Sequence, residues 1–159
     1  MNLEKGKKML LVRYSDFLYS NCIDDHIEVI KENGYCWFGK VGKQKPSQKF
    51  CDMVLKDEKP MIFLYSVKKA FICDVEEIIF EKPEDGIFPS YYREILFDKG
   101  NEPSAYFKIT SCDEINKSVL SSFIVSSSKN HLPSSLHGSM NSIFMVECAK
   151  DVEVKGVTE

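Results

Sequence analysis

The chain has one tryptophan and three histidines among its 159 residues. No apolar run in it approaches the ~20 residues that a membrane span needs. None of its six cysteines (Cys22, Cys36, Cys51, Cys73, Cys112 and Cys148) forms a CxxC pair, and their spacing matches no common zinc pattern. It has no Walker loop, GxGxxG turn, GxSxG elbow or HExxH helix. Positive charge is not in excess either: 21 Lys and Arg against 24 Asp and Glu leave a net charge of −3. These absences argue against a membrane-spanning helix, a zinc-stapled domain, the enzymes recognised by those motifs and a globally basic nucleic-acid binder. The opening MNLEKGKKMLLVRYSDF is too charged for a signal peptide. The expected setting is the cytoplasm, with the cysteines reduced and buried as small hydrophobes.

What is present is an ordinary globular composition, 43% hydrophobic and 28% charged, with an aromatic content of 12% that favours strands or a stacking surface. The length fits one domain. Met9–Tyr14 reads as a first strand, and residues 21–34 as a helix capped by Asn21 and stopped by Gly34, with Ile23, Ile27 and Ile30 as its buried stripe. Tyr35–Val41 is a strand, and a loop from Gly42 to Gln48 leads to a short helix at Phe50–Leu55. Met61–Val67 and Ala70–Phe80 form a hairpin. Residues 81–90 are a loop and Tyr91–Ile95 a return to strand. Ala105–Thr110, Ser122–Ser126 and Ile143–Cys148 are strands, with a helical turn at Ile115–Leu120 and a long polar loop after Ser126. The expectation is an α+β domain over residues 9–148, its centre a small curved β-barrel or strongly twisted mixed sheet flanked by a few short helices. Residues 1–8 form a basic arm and residues 149–159 a charged, frayed tail.

Chemistry has few candidates. His131 and His137 sit in a serine-rich loop with no acid between them, and Asp24–Asp25 suit the first turn of a helix better than paired catalysis. The expectation is no enzyme, no cofactor and no metal site. Binding has more to build on. In GYCWFGKVGKQK (residues 34–45) alternation sends Trp37 and Phe38 to opposite faces of a strand, one towards the core and the other towards a surface. Lys40, Lys43, Lys45 and Lys49 follow on a basic segment suited to phosphate. Tyr65, and Tyr91 with Tyr92 and Arg93, add rings and a cation. Flat bases stack on such rings at about 1–3 kcal/mol each. Whether Trp37 faces core or pocket stays open from the residues alone.

The order of these pieces (DDHIEVIKENG into YCWFGKVGK, the MIFLYSVKKAFICDVEEI hairpin, PSYYR, AYFKI and SSFIVSSS) resembles the PUA-like superfamily, and within it the EVE and YTH-type domains. The resemblance is one of layout over residues 9–148. It implies a small β-barrel flanked by helices that accepts a base, often modified and flipped out, in an aromatic pocket. It further implies that Trp37 faces the pocket, with Tyr65 and Ser66 beside it and Tyr106, Ser126, Ser127 and Asn130 as neighbouring contacts. YTH-type cages use several Trp residues; with one here, Phe38, Tyr65 or Tyr92 would complete the cage. The expected function is a non-catalytic module, monomeric or weakly dimeric, that recognises a base in nucleic acid, with Lys40, Lys43, Lys45 and Arg93 on phosphate. The alternative is a binder of a free nucleotide-derived small molecule, or a protein-interaction module in prokaryotic or phage defence.

Overall fold

The runs MLLV, MIFLY and AFIC are apolar at consecutive positions, the pattern of strands covered on both faces rather than one. The computed structural model, which describes residues 1–15, 17 and 19–157, has this arrangement. Its strands are Asn2–Leu3 (β1), Lys8–Arg13 (β2), Cys36–Lys40 (β3), Met61–Tyr65 (β4), Ala70–Ile79 (β5), Ala105–Ile109 (β6), Asp113–Ile115 (β7), Phe123–Val125 (β8), Ile143–Cys148 (β9) and Val152–Glu153 (β10). Three α-helices accompany them: Cys22–Asn33 (α1), Gln48–Leu55 (α2) and Leu132–Gly138 (α3). A π-helical turn occupies Tyr92–Phe97 and a 3-10 turn Lys117–Ser122.

The protein is α+β, built on one mixed sheet in the order β3-β6-β5-β4-β2-β9-β8, with β7 also paired to β5. β2 and β4 run parallel, so the chain must cross over between them; α1, β3 and α2 make that crossover. The strand path ends at β3 and β8, and no pairing joins these two among the described residues. Of the two expected centres, the mixed sheet is the one formed. β5 bends at a register shift between Val75 and Glu77, pairing β7 along its first half and β6 along its second.

Both faces of the sheet carry a core. Leu10 and Val12 of β2 join Ile62, Leu64, Phe71 and Cys73 beneath α1 and α2. Met9 and Leu11 join Met61, Phe63 and Ile72 beneath the 3-10 turn, β8 and α3. On this second face Phe63 meets Phe123 edge-on, centroids 5.1 Å apart. Such a pair stabilises by about 1 kcal/mol beyond its buried area. Five of the six free cysteines are buried and Cys112 is half-buried.

Several local readings change. The π-helical turn replaces the strand expected from Tyr91, because Tyr92 and Leu96 turn inward together. The long polar loop contains α3, which Pro133 opens and Leu132 and Leu136 anchor. The buried ridge of α1 is Cys22, Ile23 and His26, with Ile27 and Ile30 only half-buried, because His26 finds hydrogen-bond partners inside. Gly34 stops that helix as expected, at φ +84°. The arm and the tail are not frayed over residues 2–3 and 152–153: β1 pairs antiparallel with β10, and the Lys5 N–H donates to Asp151. Thr158 and Glu159 lie outside the described residues. Among the described residues no helix is long and apolar enough to cross a membrane.

Candidate functional site

The site is organised by the alternation of β3. Cys36 and Phe38 point into the core beneath α1, and Lys40 follows on the same face. Trp37 leaves the opposite face. There its indole N–H donates to the Asp85 carboxylate at 3.2 Å, and the Tyr35 hydroxyl donates to the same oxygen at 2.8 Å. Its backbone N–H bonds to the Ile87 carbonyl at 2.8 Å, so the loop at residues 81–90 closes over the ring, which is 4% exposed. Desolvation raises the Asp85 pKa, but the Ile87 N–H, Trp37, Tyr35 and Lys108 together outweigh it and hold the carboxyl below its ordinary value. Trp37 is therefore a structural residue that fixes a loop. The pleat turns its ring to the face opposite Phe38, and it lines neither of the two spaces described below.

Against β3 lies a buried polar chain. The Gly39 N–H donates to the Tyr92 hydroxyl at 2.8 Å, and that oxygen is 2.6 Å from His26 Nε2. His26 Nδ1 is 2.5 Å from the Cys22 carbonyl. A carbonyl can only accept, so Nδ1 carries a proton; in the neutral ring, the form burial favours, Nε2 accepts and the Tyr92 hydroxyl donates to it. Burial drives the His26 pKa down to about 4, against a smaller opposing pull from the Cys22 carbonyl. Gly39 is required by space: a Cβ there would stand 2.5 Å from Pro103 Cγ.

Between β3 and the end of β2 is a cavity of about 570 Å³. Phe38, Gly39, Lys40 and Val41 line it from β3; Arg13, Tyr14 and Ser15 from the end of β2; Tyr19 and Cys22 from the approach to α1; Tyr91 and Leu96 from the π-helical turn; and Met140 and Ser142 from the approach to β9. Tyr19 and Tyr91 stack at 4.3 Å with an interplanar angle of 11°. Among the described residues the lining holds two cations, Arg13 and Lys40, and no carboxylate. Desolvation lowers the Lys40 pKa. A groove of about 480 Å³ shares Arg13, Tyr14, Ser15 and Met140 with the cavity and continues past Tyr65, Ser66 and Lys68. The Ser66 hydroxyl donates to the Tyr14 hydroxyl at 3.1 Å, tying groove to cavity.

Of the residues singled out from sequence, Phe38 and Lys40 line the cavity, and Tyr65 and Ser66 line its groove. Tyr92 is 1% exposed, its hydroxyl committed to His26 and Gly39. Tyr106 is also 1% exposed; it pairs with Gly39 on β6 and lines neither space. Ser126 and Asn130 belong to the β8 end of the sheet, where the Asn130 carbonyl accepts from Val125. Lys43, Lys45 and Arg93 are exposed and line neither space, and Lys45 lies over the Phe80 ring. Sequence reasoning missed Arg13, Tyr14, Ser15 and Tyr19. The available signal was RYS at the end of an apolar strand: Arg13 stands opposite Tyr65 at the carboxyl ends of the parallel pair β2 and β4, where loops diverge and leave a crevice.

The chain matches no family profile, no curated protein and no solved structure.

Proposed function

We propose that the protein is a non-catalytic binding module that accepts a base, modified or not, in the cavity between β2 and β3. One observation carries the reading: a cavity of about 570 Å³, within the ~300–1,000 Å³ range of small-molecule sites, gathers Phe38, Tyr14, Tyr19 and Tyr91 with two cations and, among the described residues, no acid. Flat, electron-rich rings stack on aromatic side chains, and a groove leading from the cavity gives room for the chain that carries the base. The layout likeness to PUA-like domains of the EVE and YTH type supports the same reading. His26, buried and hydrogen-bonded at both nitrogens, is not placed to move a proton on a ligand.

The alternative ligand is a free nucleotide-derived molecule, favoured by the net charge of −3, which opposes tight binding to a long polyanion. Calorimetric titration with nucleosides, modified nucleosides and short single strands, at low and high salt, tests both. Binding of a strand that weakens steeply with salt supports the nucleic-acid reading, and salt-insensitive binding of a nucleoside alone supports the free ligand. Phe38→Ala should weaken either by about 10-fold or more, since a stacked base is worth about 1–3 kcal/mol. A Phe38→Ala protein that folds and binds with unchanged affinity refutes the pocket.

A further inference from the structure

Lys40 is the least conventional residue of the cavity. Its side chain is 2% exposed, and its Nζ is buried with no hydrogen-bond partner among the described residues. A lysine at a surface snorkels so that its ammonium reaches water. This one stays inside, where Gly42, at φ +109°, lacks the Cβ that would crowd Nζ at 3.3 Å. Arg13, which lines the same cavity, gives Nη2 to the Leu136 carbonyl, while its Nε is also buried without a partner among the described residues. A buried ammonium with nothing opposite it is costly to the folded state. Two under-bonded cationic side chains line one cavity with no carboxylate among its described lining residues, which leaves room for a negative charge.

We infer that the cavity takes an anionic ligand, with a phosphate monoester group held at Lys40 and Arg13. The inference rests on the reading of this cavity as a ligand site, and it narrows the ligand from a neutral base to a mononucleotide or the phosphorylated end of a strand. Lysine suits such a group as a compact point charge, and an arginine Nε–H offers a directed second donor. Burial disfavours the charged amine, and a bound phosphate would restore it.

The test is calorimetric titration of wild type and Lys40→Met with the four common nucleosides, their 5′-monophosphates, inorganic phosphate, and tetranucleotides bearing either a 5′-phosphate or a 5′-hydroxyl. The monophosphate should bind about tenfold or more tighter than its nucleoside, and Lys40→Met should erase that difference. Preference for the free monophosphate or for the 5′-phosphorylated strand tells the two sources apart. Equal affinity for nucleoside and monophosphate overturns the anion site and leaves the base reading standing. Inorganic phosphate bound through Lys40, with no gain from any base, upholds the anion site and overturns the base reading. No binding by any of these probes overturns both. Thermal melting of the free proteins gives an independent readout. Removing an uncompensated buried charge should raise the Tm of Lys40→Met. A lower Tm would make Lys40 a structural residue and overturn the inference.

Discussion

The Tyr92 hydroxyl lies 2.6 Å from His26 Nε2 and accepts from the Gly39 N–H at 2.8 Å, so one phenol joins α1, β3 and the π-helical turn behind the cavity. The first prediction comes from this junction. Tyr92→Phe leaves the Gly39 N–H and His26 Nε2 buried without a partner and should cost on the order of 3 kcal/mol. Urea unfolding measures it, and a loss below about 1 kcal/mol would show that the chain of bonds is not maintained in solution.

The same histidine predicts a pH dependence. Between its ordinary pKa of 6.5 and about 4 in the fold, the unfolded chain binds a proton that the folded chain refuses. Stability should therefore fall as pH drops through that window, by about 3 kcal/mol in all. The tyrosines packed on the ring, Tyr91 and Tyr92, do not charge in this range, because burial raises the pKa of both. Unfolding curves at pH 7, 5.5 and 4.5 check it, with His26→Gln expected to flatten the slope.

Gly39→Ala should destabilise by about 1–3 kcal/mol, because its Cβ would meet Pro103 Cγ at 2.5 Å and the ring cannot move aside freely. A drop of several degrees in Tm is the expected result.

Trp37→Phe removes the indole bond to Asp85 but nothing from the cavity. Ligand affinity should stay within about twofold of wild type, in contrast to the loss expected for Phe38→Ala. Amide exchange in the loop around Ile87 should speed up, since the Ile87 carbonyl and the Asp85 carboxylate both hold that loop to β3.

Thiol labelling of the native protein should modify Cys112 first. Cys36, Cys51, Cys73 and Cys148 are buried, and burial pushes their thiols up, that of Cys51 to about 11. Mass spectrometry after brief reaction with a maleimide reads the order.

The elements were legible where one face or one cap decides them. Gly34 ended α1, and the Ala70 hairpin fell where its apolar runs place it. The candidate site was less legible because it depends on pairings far apart in the chain. Phe38 could be named, but which of Trp37 and Phe38 faces the cavity is set by where α1 packs against β3. Arg13 and Tyr14 gained a role only once β2 lay parallel to β4. Tyr92 looked like a pocket ring because nothing local shows that His26 is buried beside it.

The position of β2 also bears on how the protein is made. It lies between β4 and β9, with Leu11 opposite Phe63 on one side and Phe144 on the other. On the ribosome β2 emerges before both β4 and β9, so the MLLV edge stays without its second neighbour until Ile143–Cys148 have been made. Non-local pairing of this kind slows folding and leaves a sticky template exposed. Nascent chains stalled before Ile143 should be the species that chaperones engage.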